Sequence, residues 1–166
     1  MAAPASINLF HDALENSVLK LGRAGIKLKE GQYEALKSVV VEGKDTVCVL
    51  PTGYGKSLIY QLLPYLFDVY NNNSEEKKQS AIIVLSPLNA LMEDQISKLK
   101  GTVKVVKVIE NSAAVEDLKL PPQILFAHPE VLLENKQIFC NILRSKIYKE
   151  RVKAIVVDEA HLVVEW

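Results

Sequence analysis

Cysteine is nearly missing from this 166-residue chain: there are two, Cys48 and Cys140. Thiols so far apart make neither a zinc knuckle nor a disulfide framework. Cys48 lies in an apolar run, so both read as buried free thiols in a reducing compartment. Charge of either sign is not in excess, with 20 Lys plus Arg against 20 Asp plus Glu. That balance excludes a purely electrostatic nucleic-acid binder and leaves room for a local patch. No run approaches the ~20 apolar residues that a membrane span needs, so no membrane partner is expected. The start, "MAAPASINLF", has neither a basic head nor a long apolar stretch, so it does not read as a secretory signal. The sequon-like Asn72-Asn73-Ser74 therefore carries no weight.

What is present is an ordinary globular mix, 49% hydrophobic and 24% charged. The length suits one domain of roughly 100–200 residues, which buries roughly 68–70% of its unfolded surface. Helical spacing of Leu9, Leu14, Val18 and Leu21 predicts a helix over 8–22, and a second is predicted over 31–42. A short β-rich run, "DTVCVL" (45–50), stops at Pro51. After "PTGYGKS" comes an apolar helix, "LIYQLLPYLFDVY", and then a polar surface loop over 71–79. Continuous apolar runs at 80–87, 103–109, 122–129 and 152–157 read as strands. Helices are expected at 88–100 and within 130–147. Strand and helix alternate, which predicts an α/β fold with a mostly parallel sheet and helices on both faces.

"LPTGYGKS" (50–57) sits between a predicted strand and a helix, the context that makes a glycine-rich loop a phosphate cradle. Gly53 and Gly55 permit the tight turn, and the helix start contributes free N–H groups. Lys56 can reach the β- and γ-phosphates, and the Ser57 hydroxyl can ligate Mg²⁺. The strict pattern has Gly where this chain has Leu50. Downstream, "AIVV" (154–157) leads into Asp158 and Glu159. A buried strand that delivers two carboxylates at its C-terminal end puts them where open α/β sheets bind ligands. Asp158 would hold Mg²⁺ through water, and Glu159 would orient and deprotonate the attacking water. His161 either couples this pair to a neighbouring domain or fills space. "RSKIYKERVK" (144–153) holds five basic residues in ten and reads as a solvated helix face rather than a nucleic-acid track.

"LPTGYGKSLIYQLLP", "VLSPLNALMEDQ", "ILFAHPEVLL" and "VVDEAHLVVEW" follow one another in the order and spacing of the RecQ-like DNA helicases of superfamily 2. Upstream, "LKEGQYEAL" (28–36) is similar to that family's adenine-reading segment. The resemblance covers roughly residues 25–166, and the "SPLxxLMxDQ" form argues against an RNA helicase. It implies a RecA-like P-loop NTPase domain at 25–166, preceded by a helical extension at 1–24. It implies ATP and Mg²⁺ as cofactors. The nucleotide would meet Lys29, Gln32, Thr52, Gly53, Tyr54, Gly55, Lys56, Ser57 and Leu58, with Gln32 on the adenine edge. Lys56, Asp158 and Glu159 would be catalytic, and Ser57 and Asp158 would face the metal. Ser86, Pro87, His128, Pro129 and Glu130 would touch the nucleic-acid backbone. Trp166 would open an aromatic-rich loop that couples DNA to hydrolysis. The resemblance also suggests a nuclear location. Departures from the family pattern are Lys29 in place of Arg, Tyr54 in place of a small residue, Leu162 in place of Cys, and Val164-Glu165 in place of Ser-Gln.

The family uses two RecA-like domains with ATP between them, and the second supplies an arginine finger worth roughly 10³–10⁵ in rate. The chain is therefore expected to be truncated after the Walker B strand, 152–157, and inactive in unwinding by itself. In the family's sheet a further strand lies between the Walker A and Walker B strands, so 45–50 and 152–157 are expected not to pair with each other. A regulatory ATP-binding module and a fragment of another superfamily 2 enzyme are the alternatives.

Overall fold

The computed structural model describes residues 4–71, 79–108, 121–134 and 144–165. They fall into two compact units, Met1–Glu75 and Glu76–Trp166.

The first unit is helical: α1 is Pro4–Lys20, α2 is Glu30–Val40 and α3 is Lys56–Tyr70. α3 is the hub and packs against both α1 and α2. Its sequence explains this, because apolar residues surround nearly the whole helix and such a helix is stable only when enclosed. Leu58 and every residue from Tyr60 to Asp68 are buried. Pro64 lies inside α3 and removes one backbone donor there. α1 turns Phe10, Ala13, Leu14, Ser17 and Val18 inward, and Leu21 just beyond it is also buried. Leu9, counted by spacing as part of that stripe, is instead 44% exposed, and the bulkier Phe10 takes the interior place.

The predicted strand at 45–50 is not formed. Residues 43–50 have no regular structure, and Val47 and Val49 are 91% and 89% exposed. β-propensity describes a fit to a paired, half-buried surface, and no ladder includes this run among the described residues. Cys48, expected to be buried, is exposed on the same segment. Cys140 and most of the predicted loop at 71–79 lie outside the described residues.

The second unit is a four-stranded, all-parallel sheet. Its strands are β1 (Ala81–Leu85), β2 (Val105–Val108), β3 (Ile124–Ala127) and β4 (Val152–Val157), in the spatial order β2-β3-β1-β4. β1 and β3 occupy the middle. β3 is buried throughout and β1 in all but its last residue, which is why both read as unbroken apolar runs. β4 ends the order, and its burial alternates, leaving Ile155 and Val157 exposed. Helices α4 (Asn89–Leu99), α5 (Pro129–Glu134) and α6 (Lys146–Arg151) complete the unit. α4 seats Met92, Gln95 and Leu99 inward, so part of the "SPLNALMEDQ" signature is packing. Within the basic run, Arg151 is buried and its Nε donates to the Gln79 carbonyl at 2.6 Å. Lys146 and Lys149 remain on the solvated face.

Candidate functional site

In the first unit the glycine-rich loop spans Pro51 to Gly55. The Tyr54 N–H donates to the Pro51 carbonyl at 3.1 Å and closes the turn. Gly53 and Gly55 have φ of 74° and 89°, a region that L side chains rarely adopt. A Cβ on Gly55 would also lie 2.7 Å from Gln32 Nε2. Glycine is therefore required there by both conformation and space.

Gln32 is what holds the loop. It is 3% exposed. Its Nε2 donates to the carbonyls of Tyr54 at 3.1 Å and Gly55 at 2.9 Å, while its Oε1 accepts the Lys29 N–H at 2.9 Å. These partners fix which end of the amide is which. They also set the loop's donors. In a trans peptide, C=O and the following N–H point in opposite directions, and no peptide bond in the described residues is cis. Fastening the carbonyls of 54 and 55 to Gln32 therefore turns the N–H groups of Gly55 and Lys56 away from it, as a phosphate cradle needs. The family resemblance implies that Gln32 meets the adenine edge; here its amide hydrogen-bonds the loop. Lys56 Nζ donates to the Leu50 carbonyl at 3.3 Å. Ser57 and Leu58 form the first turn of α3, where the Leu58 N–H reaches the Gly55 carbonyl at 3.1 Å. Thr52 is exposed at the turn.

In the second unit the sheet register gathers three motifs. Leu85 pairs with Ala127 on one side and Val157 on the other. The residues that follow, His128, Ser86 and Asp158, form one row along the C-terminal edge, where parallel strands converge on ligands. Backbone bonds tie the row together: Ser86 N–H to the Ala127 carbonyl at 3.1 Å, and Asp158 N–H to the Leu85 carbonyl at 2.8 Å. His128 Nε2 lies 2.8 Å from the Pro87 carbonyl, and its Nδ1 lies 3.7 Å from the Glu130 carboxylate. Pro129 opens α5, where a missing N–H costs nothing. Ser86 itself is 1% exposed, and its Oγ has no hydrogen-bond partner among the described residues. His128 and Asp158 are half-buried, and the neighbouring Glu130 side chain is exposed.

Asp158 Oδ1 accepts the Glu159 N–H at 3.1 Å. Glu159 has φ of 53°, the only non-glycine residue with positive φ among those described. The 3₁₀ turn Ala160–Glu165 follows, and its Leu162 N–H bonds to the Glu159 carbonyl at 2.9 Å. His161 Nδ1 stands 3.3 Å from the Glu159 carboxylate, with its side chain 70% exposed, so it does not fill space. Trp166 lies outside the described residues.

A glycine-rich loop with a lysine at the start of a helix lies in the first unit, and an Asp-Glu pair ends a parallel strand in the second. The DEAD/DEAH box helicase family model matches residues 29–166. The chain belongs to that family. Among curated DEAD/DEAH relatives, it is 30% identical over 139 residues to the probable ATP-dependent DNA helicase RecS of Bacillus subtilis, covering 83% of this chain and 26% of that protein. To ATP-dependent DNA helicase Q-like 5 of Arabidopsis thaliana it is 33% identical over 145 residues, covering 83% of this chain and 14% of that protein. To ATP-dependent DNA helicase RecQ of Haemophilus influenzae it is 28% identical over 152 residues, covering 90% and 23%. The chain thus spans about a quarter or less of the length of these helicases.

Proposed function

We propose that this chain is the ATP-binding part of a RecQ-like 3′–5′ DNA helicase, with residues 25–166 as the first RecA-like domain and 1–24 as a helical extension. The observation that carries this is the row of Ser86, His128 and Asp158 on one sheet edge. It sets the motifs assigned to nucleic acid on the same edge as the acid assigned to Mg²⁺, with Ser86 one strand spacing from Asp158, about 4.8 Å, and His128 two spacings away, about 10 Å. The donor set suits a MgATP complex. Gly55 and Lys56 N–H groups and the Lys56 ammonium suit phosphate. Ser57 in the first unit and Asp158 in the second each carry an oxygen of the kind that Mg²⁺ takes alongside water and phosphate. Bound Mg²⁺ neutralises charge on the phosphates. Lys56 holds the phosphate oxygens and Glu159 takes the proton of the attacking water. Single-stranded or tailed DNA is the nucleic-acid partner, and a second RecA-like domain is the expected protein partner. A nuclear location rests on the eukaryotic relatives alone, since bacterial ones also match.

The test is steady-state ATP turnover and strand displacement on a 3′-tailed duplex. In the full-length protein, Glu159→Gln should keep nucleotide binding and lose turnover, because the carboxylate acts only in the chemical step. The 166-residue polypeptide alone should displace no strand. Retained turnover in the variant removes Glu159 as the base. ATP-dependent displacement by the polypeptide alone removes the need for a second domain.

A further inference from the structure

Tyr54 is the loop residue whose bulk the phosphate-binding reading does not use. Its ring lies under the Lys29 ammonium, 4.3 Å from nitrogen to ring centroid. Its carbonyl is one of the two that Gln32 holds. Lys29 and Gln32 belong to the same turn: Lys29 is the N-cap of α2 and Gln32 stands three residues on. Between them, Gly31 lets the loop come close. A Cβ there would lie 2.8 Å from Leu50 Cδ2 and 3.7 Å from the Tyr54 ring. The loop is therefore fastened to the start of α2 at three points. On its other side, residues 43–50 have no regular structure.

We propose that Tyr54 is a positioning residue: by holding Lys29 on its ring it fastens the phosphate loop to the first turn of α2 and so presets the Gly55 and Lys56 N–H groups for a nucleotide's phosphates. This rests on the nucleotide-binding reading given above. A loop with two left-handed glycines has many conformations to lose on binding, and each contact that orders it beforehand lowers that cost. The attraction is between a cation and the face of a ring, so it needs the aromatic face and not the hydroxyl. Lys29 acts through the ring. Losing both partners should therefore cost no more than losing either one, which is the signature of a coupled pair.

The experiment titrates MgATP into the full-length protein and its variants, and follows the Lys29 ε-methylene by NMR. Tyr54→Ala, Lys29→Ala and the double variant should each weaken binding by the same roughly three- to fivefold factor. Tyr54→Phe should recover most of the affinity. The Lys29 methylene should be shifted upfield by the ring current in wild type and in Tyr54→Phe, and not in Tyr54→Ala. Three results overturn the proposal: an unshifted methylene in wild type, wild-type affinity in Tyr54→Ala, or a double variant whose loss is the product of the single losses. A shifted methylene in a wild-type protein that binds no MgATP overturns the nucleotide reading itself, and the role of Tyr54 with it.

Discussion

Glu159 shows how a single residue joins stability to chemistry. Its φ of 53° places an L residue where the Cβ crowds the following carbonyl, at a cost of roughly 1–2 kcal/mol. The strain stands at the residue assigned to activate water, where such strain tends to gather. Alanine at 159 keeps the burden, whereas glycine sheds it and gives back ~0.5–1 kcal/mol in unfolded-state entropy. Glu159→Gly should therefore be more stable than Glu159→Ala by about 0.5–1 kcal/mol. Urea unfolding of the two variants checks this, and an alanine variant at least as stable as the glycine one contradicts it. The acidic pair itself was legible in the sequence, because four apolar residues run straight into it. The sign of φ was not, because it is imposed by the 3₁₀ turn that follows. Nor was the work of Gln32, whose partners at Tyr54 and Gly55 are 22 and 23 residues away in the chain.

Elements were legible where burial is two-sided. The runs at 80–87 and 122–129 are strands because they fill the middle of a parallel sheet, and that burial removes polar residues from the sequence. The run at 45–50 has the same composition but is irregular, since a strand is made by its neighbours. α6 carries an internal cost that composition hides. Tyr148 is 4% exposed and its hydroxyl has no partner among the described residues; burial pushes its pKa up from 10.0 to about 12, against a smaller opposing effect of Arg151. An unsatisfied buried hydroxyl costs roughly 1–3 kcal/mol, so Tyr148→Phe should leave stability unchanged or raise it by about 1 kcal/mol. The pH dependence has a definite sign. Above pH 10 the unfolded tyrosine releases its proton while the folded one keeps it, so stability should fall as pH rises from 10 to about 12. Unfolding free energies across that window should slope less in Tyr148→Phe. An unchanged slope would show that Tyr148 does not contribute. Tyr65, whose pKa is also raised by burial, accounts for part of the remaining slope.

At the scale of the molecule, class was legible and layout was not. Four motifs in a fixed order point to the DEAD/DEAH box helicases before any coordinates are known. The order β2-β3-β1-β4 could not be read from them, because it depends on which apolar runs pair. That order is what brings His128, Ser86 and Asp158 into one row. The balance of 20 cations and 20 anions leaves no excess of either sign across the sequence. Calorimetric titration of MgATP into the full-length protein and its Lys56→Ala variant tests whether the loop from Pro51 to Ser57 binds nucleoside triphosphate. Saturable binding is expected of the wild type. In Lys56→Ala affinity should fall at least a hundredfold, in line with losing a charge-assisted contact worth roughly 3 kcal/mol. Equal affinity in the two proteins, or none in either, would contradict it.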